Sequence, residues 1–552
     1  MKKVLKIQHR FIILLLIIPL IGFSQEDDND KKIFNKNYDV FTTYKPEITD
    51  AIKLDVIPFN ERIVADKPQI KYRIKLKQLV PKKEFEKLPA ISIIRRQSKH
   101  LSHYYLKAGV GNFANVLADF NYNTTKSRDK IFAIHLKHNS GKSTPKNSNI
   151  SEQLLNVSGK KLFRKNILES NVFFNNDILH FYGYDHVTDT FNSDSIKQDF
   201  MRFGMNASFN NEISQKENFN YWANTGVYYL MDYYDASELG FKIGGALEQH
   251  FRETPIRFEA KFQQFSYKSD KIFNRNVLDI IAKFNLNKDW FRAKIGFDVA
   301  AENNSSKSKI HFYPDLKIEA ELLENYITAY AEFTGGLKVN SFNTITKENP
   351  YVLSQIDLKN TNYKLVLAGG LKGSFSQNID YFLRLSYNNI ENLMMFVNDT
   401  TDSKRFKTIY DTGNTILFKA NAEVSAKLHQ NLDVFLNAEY YNYDLSQELF
   451  AWHLPDYKIT LSGKYNFDKK VYVKLDFFTI GDRKAKAWDE SGQVETIDLD
   501  AIYDMNASVT YQFSKKFGIF FNFNNIFSNK YSYWNNYELR GFHLLGGAKV
   551  NL

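Results

Sequence analysis

The side chains of this sequence that could support chemistry are mainly its 12 histidines. His180 and His186, with Asp185 between them, form the one short His/Asp grouping, and imidazole and carboxylate groups together can hold a transition metal. His103 stands apart in another segment. Isolated loop histidines are far commoner than such a centre, and no H-E-x-x-H pair supplies zinc-ligand spacing. No G-x-S-x-G elbow presents a serine nucleophile, and Gly109-x-Gly111 lacks the lysine and helix of a phosphate loop. The absence of cysteine excludes thiolate metal sites, cysteine nucleophiles and a disulfide scaffold. The sequence therefore nominates no catalytic, cofactor-binding or metal-binding residue.

Attention shifts to the elements that would have to carry any site. The chain has 552 residues, among them 47 Phe, 33 Tyr and 5 Trp, yet after residue 24 no apolar run reaches the 18 or so residues of a membrane helix. Aromatic bulk is instead mixed finely with polar groups, a texture that suits strands with two different faces. Residues 1–24 are the exception. Lys2, Lys3, Lys6 and Arg10 precede or flank the apolar run 11–21, and Gly22-Phe23-Ser24 leads into acidic residues, the pattern of a secretory signal peptide. Its removal takes the formal charge from +11 to +7, which gives no support for a nucleic-acid partner.

Residues 25–97 carry spaced prolines at Pro46, Pro58, Pro68, Pro81 and Pro89 and little periodicity. This predicts an extended periplasmic or lumen-entering arm. From residue 98 to 552 the pattern is uniform. Phe203, Met205, Ala207 and Phe209 alternate with Arg202, Gly204, Asn206 and Ser208, and the same period of two returns at 326–339, 433–440, 505–513 and 542–552. Short polar turns at 287–289, 376–378, 429–431, 468–470 and 514–516 alternate with longer connections at 184–197, 340–350, 397–407 and 482–499.

Many strands of about 10 to 15 residues with alternating short and long loops describe an all-β, large antiparallel transmembrane β-barrel. A count of about 22 strands, within 20 to 24, fits the length available. A soluble sandwich or propeller would also alternate, but so many surface aromatics would make it aggregate. In hydrocarbon the sheet must close, because each unpaired backbone group costs several kcal/mol. Outward apolar side chains then meet lipid, inward polar ones such as Glu332 and Glu439 line a wet lumen, and Tyr221, Trp222, Trp290 and Trp534 are candidates for the interfacial girdles.

The C-terminal run Phe521-Asn522-Phe523-Asn524-Asn525-Ile526-Phe527-Ser528-Asn529-Lys530-Tyr531, followed through Trp534 and Tyr537 to a last strand ending at Leu552, resembles the end of the TonB-dependent receptors. Ser528 stands where that family usually has an acid or amide. Tyr44-Lys45-Pro46-Glu47-Ile48 with Ile57-Pro58, and Gly109 to Asn115 at the barrel start, are similar to segments of the plugless receptor-like barrels of Bacteroidetes. The resemblance implies the cell outer membrane as compartment and names no substrate. The receptors carry a globular plug bearing the energy-coupling box, whereas residues 25–97 are too few and lack its glycine-rich texture, so no complete plug is expected. Residues 39–44 could be read as a coupling box, as could any short extended segment.

A barrel this wide without a plug would breach the membrane unless the arm, inward loops, bulky lumen side chains or a partner obstruct it. The expected function is a non-catalytic subunit or partner of an envelope assembly, in contact with outer-membrane lipid, lipopolysaccharide and an envelope protein, and needing no cofactor. An uptake channel with the plug absent or supplied by another chain is the alternative. An adhesin-like surface module would rest on the long loops alone. A barrel phospholipase or protease would need a hydroxyl nucleophile and base that no motif singles out.

Overall fold

A computed structural model describes residues 103–552, apart from 125–128, 212–218, 252–253, 289, 305–306 and 490. The segments read as a signal peptide (1–24), as an arm (25–97) and as a possible coupling box (39–44), and the expected barrel start at residue 98, lie outside the described residues.

The alternating segments form one 22-stranded antiparallel sheet in which sequence neighbours are sheet neighbours. The first strand, Tyr104–Gly111, pairs with the second, Asn115–Asn123, and also with the last, His543–Asn551. The sheet is therefore closed and has no free edge, as a strand structure in lipid requires. The strand count agrees with the 22 expected from the sequence.

The period of two sorts side chains as anticipated. In the sixth strand, Lys197–Asn210, Phe203 and Met205 are about half exposed on the outer wall while Arg202 is 2% exposed inside. Leu106, Val172, Ile243, Leu247, Phe258, Ile280 and Leu385 are likewise exposed on their strands. Exposed apolar surface in such quantity has its counterpart in lipid chains.

All five short turns read from the sequence lie at the end of the barrel that also holds both ends of the described chain, where Tyr104 N–H donates to the Leu552 carbonyl. The four longer connections lie at the other end. Three long connections at that end hold structure that alternation could not announce. The connection after the thirteenth strand (Ile327–Lys338) contains a helix, Phe342–Glu348, and those preceding the twentieth strand (Ile502–Gln512) and the last strand contain the hairpins Arg483–Trp488 with Val494–Leu499 and Ser532–Trp534 with Tyr537–Glu538.

Two of the four girdle residues are placed elsewhere. Trp222 pairs in register with Asn210 and Ala246, both buried on the inner face, so it faces the lumen. Trp534 is 8% exposed in a cluster with Phe396 and Phe406, at the facing ends of strands fifteen (Ile379–Asn398) and sixteen (Phe406–His429). A tryptophan's chemistry suits an interface, but strand parity and loop path decide whether it arrives there. Trp290, 66% exposed in a short turn, and Tyr221, in register with outward Leu247, keep positions compatible with a girdle.

Candidate functional site

The structured centre of this protein is the mouth at its long-loop end. Twenty-two strands spaced about 4.8 Å apart and tilted about 40° enclose a ring roughly 40 Å across between backbones. A loop of 22 residues, such as 339–360, can extend roughly 36 Å out and back at about 3.3 Å per residue. It can thus reach well past the axis.

Residues 339–360 make this excursion and are fastened to a distant part of the wall. Ser341 caps the helix Phe342–Glu348, accepting from Thr344 N–H while the Thr344 hydroxyl accepts from Ser341 N–H, a reciprocal capping box. The free N–H groups of Phe342 and Asn343 donate to Glu238 at 2.7 and 3.1 Å. Glu238 belongs to the eighth strand, Ser237–Phe251, is fully buried, and also accepts from the Tyr228 hydroxyl at 2.7 Å. A carboxylate at this position satisfies orphan donors and opposes the positive end of the helix.

Two buried guanidinium groups hold the same loop. Arg202 donates from Nε to Asn343 and from Nη2 to Thr346, each at 3.0 Å, while Nη1 binds Asp177 on the fifth strand, Ile167–His180. Arg275, on the tenth strand, Ile272–Asn287, donates to the carbonyl of Asn340 at 2.6 Å and to Asn360, gripping both feet of the loop. Tyr267 of the ninth strand donates to the Ser354 carbonyl and accepts from Ile356 N–H. Beneath these polar ties Phe342, Ile345, Phe200 and Tyr267 pack together with exposures of 0 to 1%.

Other loops meet this one. Tyr182, between strands five and six, Tyr351, between strands thirteen and fourteen, and Tyr537, in the last long loop, pack as a trio. Ring centroids are 3.6 Å apart for Tyr351 and Tyr537, 4.9 Å for Tyr182 and Tyr537, and 6.0 Å for Tyr182 and Tyr351. These loops leave the wall about a third of the circumference apart. Points so spaced meet only near the axis, so the trio sits over the lumen. Burial raises the hydroxyl pKa of all three tyrosines, keeping them neutral.

The remaining long loops brace the cap. His453, between strands seventeen and eighteen, accepts at Nε2 from Asn535 N–H at 3.3 Å and sets Nδ1 3.0 Å from the Phe396 carbonyl, which fixes Nδ1–H as the neutral tautomer. Burial holds its pKa down to about 4. Arg405 lies over the rings of Phe181 and Tyr234 at 4.4 and 4.2 Å. Asn535 donates to Asn398 at 3.0 Å.

Below the cap the inner wall carries interleaved charges. Glu259 meets Lys283 and Arg257, Glu332 meets Lys317 and Arg384, and Lys419 meets Glu439 at 2.6 Å. The expectation that Glu332 and Glu439 face inward is met, with each already paired to a wall cation. Between the inward loop and strands nine to twelve a cavity of about 880 Å³ remains, lined by Tyr267, Arg275, Glu302, Lys309, Ile356 and Asn360 among others.

The histidines weighed in the sequence are placed separately. The His180 ring engages the Asn149 carbonyl at 2.9 Å, that of His186 the Tyr182 carbonyl at 3.0 Å and that of His103 the Asn123 carbonyl at 3.1 Å. Among the described residues no three His, Asp or Glu side chains are grouped to hold a metal ion. The residues that organise the mouth, Arg202, Glu238 and Arg275, went unnoticed in the sequence because inward charges are ordinary in a wet lumen. The one available signal was Ser341-Phe342-Asn343-Thr344-Ile345, a capped turn with two apolar side chains inside a stretch read as a polar connection.

No family model matches the sequence, and no curated protein matches it. The fold does match solved structures. The pyoverdine outer membrane receptor FpvA from Pseudomonas aeruginosa PAO1, bound to pyoverdine, superposes with a TM-score of 0.62 at 11% identity, over 82% of this chain and 79% of that one. The siderophore receptor PirA from Acinetobacter baumannii gives 0.63 at 9% identity, over 82% and 81%. The ferric-catecholate import receptor Fiu from K12 E. coli gives 0.62 at 12% identity, over 82% of each chain. This chain thus has the fold of the outer-membrane receptor barrels, as its C-terminal resemblance implied.

Proposed function

We propose that this protein is a non-catalytic, receptor-like barrel of the outer membrane that works as a closed subunit of an envelope assembly. The observation that carries this reading is the packing of Tyr182, Tyr351 and Tyr537 over the lumen. A permanently open pore has no use for an aromatic cluster over its lumen whose inward loop is fixed by buried Arg202, Glu238 and Arg275. Freeing such groups costs about 3 to 5 kcal/mol where a buried charge loses its partner. A closed barrel offers partners a loop surface at its long-loop end, and in this reading the short-turn end faces the periplasm. In this reading residues 1–24 direct export and 25–97 form the periplasmic arm.

Gated uptake is the second reading, favoured by the cavity of about 880 Å³ between the inward loop and the wall and by the fold shared with an import receptor. There the inward loop would have to move on ligand binding. Purified wild-type protein in planar bilayers, together with a native membrane pull-down, separates the two. The assembly reading expects low conductance and a stoichiometric envelope protein. Large stable conductance from the isolated protein, or a solitary barrel whose conductance rises with a small ligand, would replace it with the transport reading.

A further inference from the structure

The short-turn end has a chemistry of its own. Three of its turns repeat one arrangement, an exposed phenylalanine followed within three residues by two cations: Phe163 before Arg164 and Lys165, Phe467 before Lys469 and Lys470, Phe513 before Lys515 and Lys516. The rings are 39%, 57% and 57% exposed, and Phe467 and Phe513 continue the outward, lipid-facing rows of Tyr465 and Tyr511. Lys288 beside exposed Trp290 repeats the theme in another turn.

The cations sit on fixed backbone. Asp468 and Lys469 have φ of 54° and 57°, and Lys470 N–H closes the turn on the Phe467 carbonyl at 3.1 Å. The Ser514 hydroxyl accepts from Phe517 N–H at 3.1 Å to brace its turn. Arg164, Lys469, Lys470, Lys515 and Lys516 are exposed and make no ion pair among the described residues.

We infer that the basic turns of this end bind the phosphates of anionic phospholipid headgroups, each paired with an outward aromatic ring at the edge of the acyl region. Ring and cation lie in the order that a bilayer interface presents, apolar boundary first and phosphate just beyond. The turns also fall between strands four and five, ten and eleven, eighteen and nineteen, and twenty and twenty-one, a spread round the rim that suits a continuous surface better than one docked protein. Which leaflet supplies the phosphates rests on the proposed periplasmic position of this end. The lipid preference itself does not depend on whether the lumen conducts.

The test uses the full mature chain refolded into phosphatidylcholine vesicles with and without phosphatidylglycerol. Its readouts are the heat-modification midpoint and the quenching of Trp290 by brominated forms of either lipid. Wild type should show a higher midpoint with phosphatidylglycerol and stronger quenching by its brominated form, both abolished by high salt. Reversing Lys469, Lys470, Lys515 and Lys516 to Glu should remove the midpoint difference, and Lys288→Glu should lower the phosphatidylglycerol preference at Trp290 about fivefold. Should the glutamate variants fail to refold, glutamine at the same positions carries the comparison. Equal responses to both lipids in wild type would overturn the inference. So would variants that keep the lipid response but lose a co-purifying acidic protein, which would assign the rim to that protein instead.

Discussion

The phenol ring of Tyr351 lies on that of Tyr537, centroids 3.6 Å apart and planes inclined by 26°, although their loops leave the wall eight strands apart. The contact can form only above the lumen, where it ties the two loops together. Tyr537→Ala should destabilise the cap by about 3 kcal/mol, the usual cost of emptying a buried aromatic site, and Tyr351→Ala, at a partly buried ring, by about 2 kcal/mol. The double variant should lose about 1 kcal/mol less than the sum of the singles. Hydrogen exchange of residues 339–360 measures this, and strict additivity would mean the rings do not interact in solution.

Glu238 holds the helix of the inward loop by its two leading N–H groups. Glu238→Gln keeps the shape but replaces one accepting oxygen with a donor that faces other donors, at a cost of about 1 to 3 kcal/mol. Combined with Arg202→Met, it should release the loop and raise single-channel conductance above wild type. Unchanged conductance with intact heat modification would show that the loop does not limit the opening.

His453 links cap stability to pH. Its folded pKa, held by burial at about 4, lies below the value near 6.5 of an unfolded histidine, and nearby Arg483 acts in the same direction. Between these values the unfolded loop binds more protons than the folded one. Stability is therefore complete above about pH 6.5, falls as pH drops and levels off about 3 kcal/mol lower below pH 4. Limited proteolysis of the long loops should accelerate over this window, and His453→Gln should flatten that acid response. A response unaltered in the variant would place the titrating group elsewhere.

Sidedness follows from loop asymmetry. Ser514 lies in a short turn and Gln493 in the hairpin-bearing long connection, both exposed. Since the native chain has no cysteine, single Ser514→Cys and Gln493→Cys variants give a clean background. An impermeant thiol reagent on intact cells should label only the second. Labelling confined to position 514 would invert the orientation.

The last strand seals the ring by pairing with both the twenty-first strand, Phe517–Asn524, and the first. Deleting 542–552 leaves two unpaired edges in hydrocarbon, so heat-modifiable protein should fall to background. Normal amounts would show that the sheet closes by another pairing.

What the sequence determined by itself was everything governed by local periodicity. Alternation at Phe203, Met205 and Ala207 assigns strand and face, because a strand's side chains point up and down whatever its neighbours are. Loop lengths order the two ends, and strand number follows from chain length divided by the span of a bilayer. Tertiary structure alone decided the mouth. Nothing near Tyr351 in sequence specifies Tyr182 or Tyr537 as partners, and Arg202 reads like any lumen cation until residues 343 and 346 arrive beside it. Trp222 and Trp534 show the same limit. Their side chains fit a membrane interface, but register turned one inward and a loop's path buried the other, since contacts between distant segments depend on closure of the whole ring.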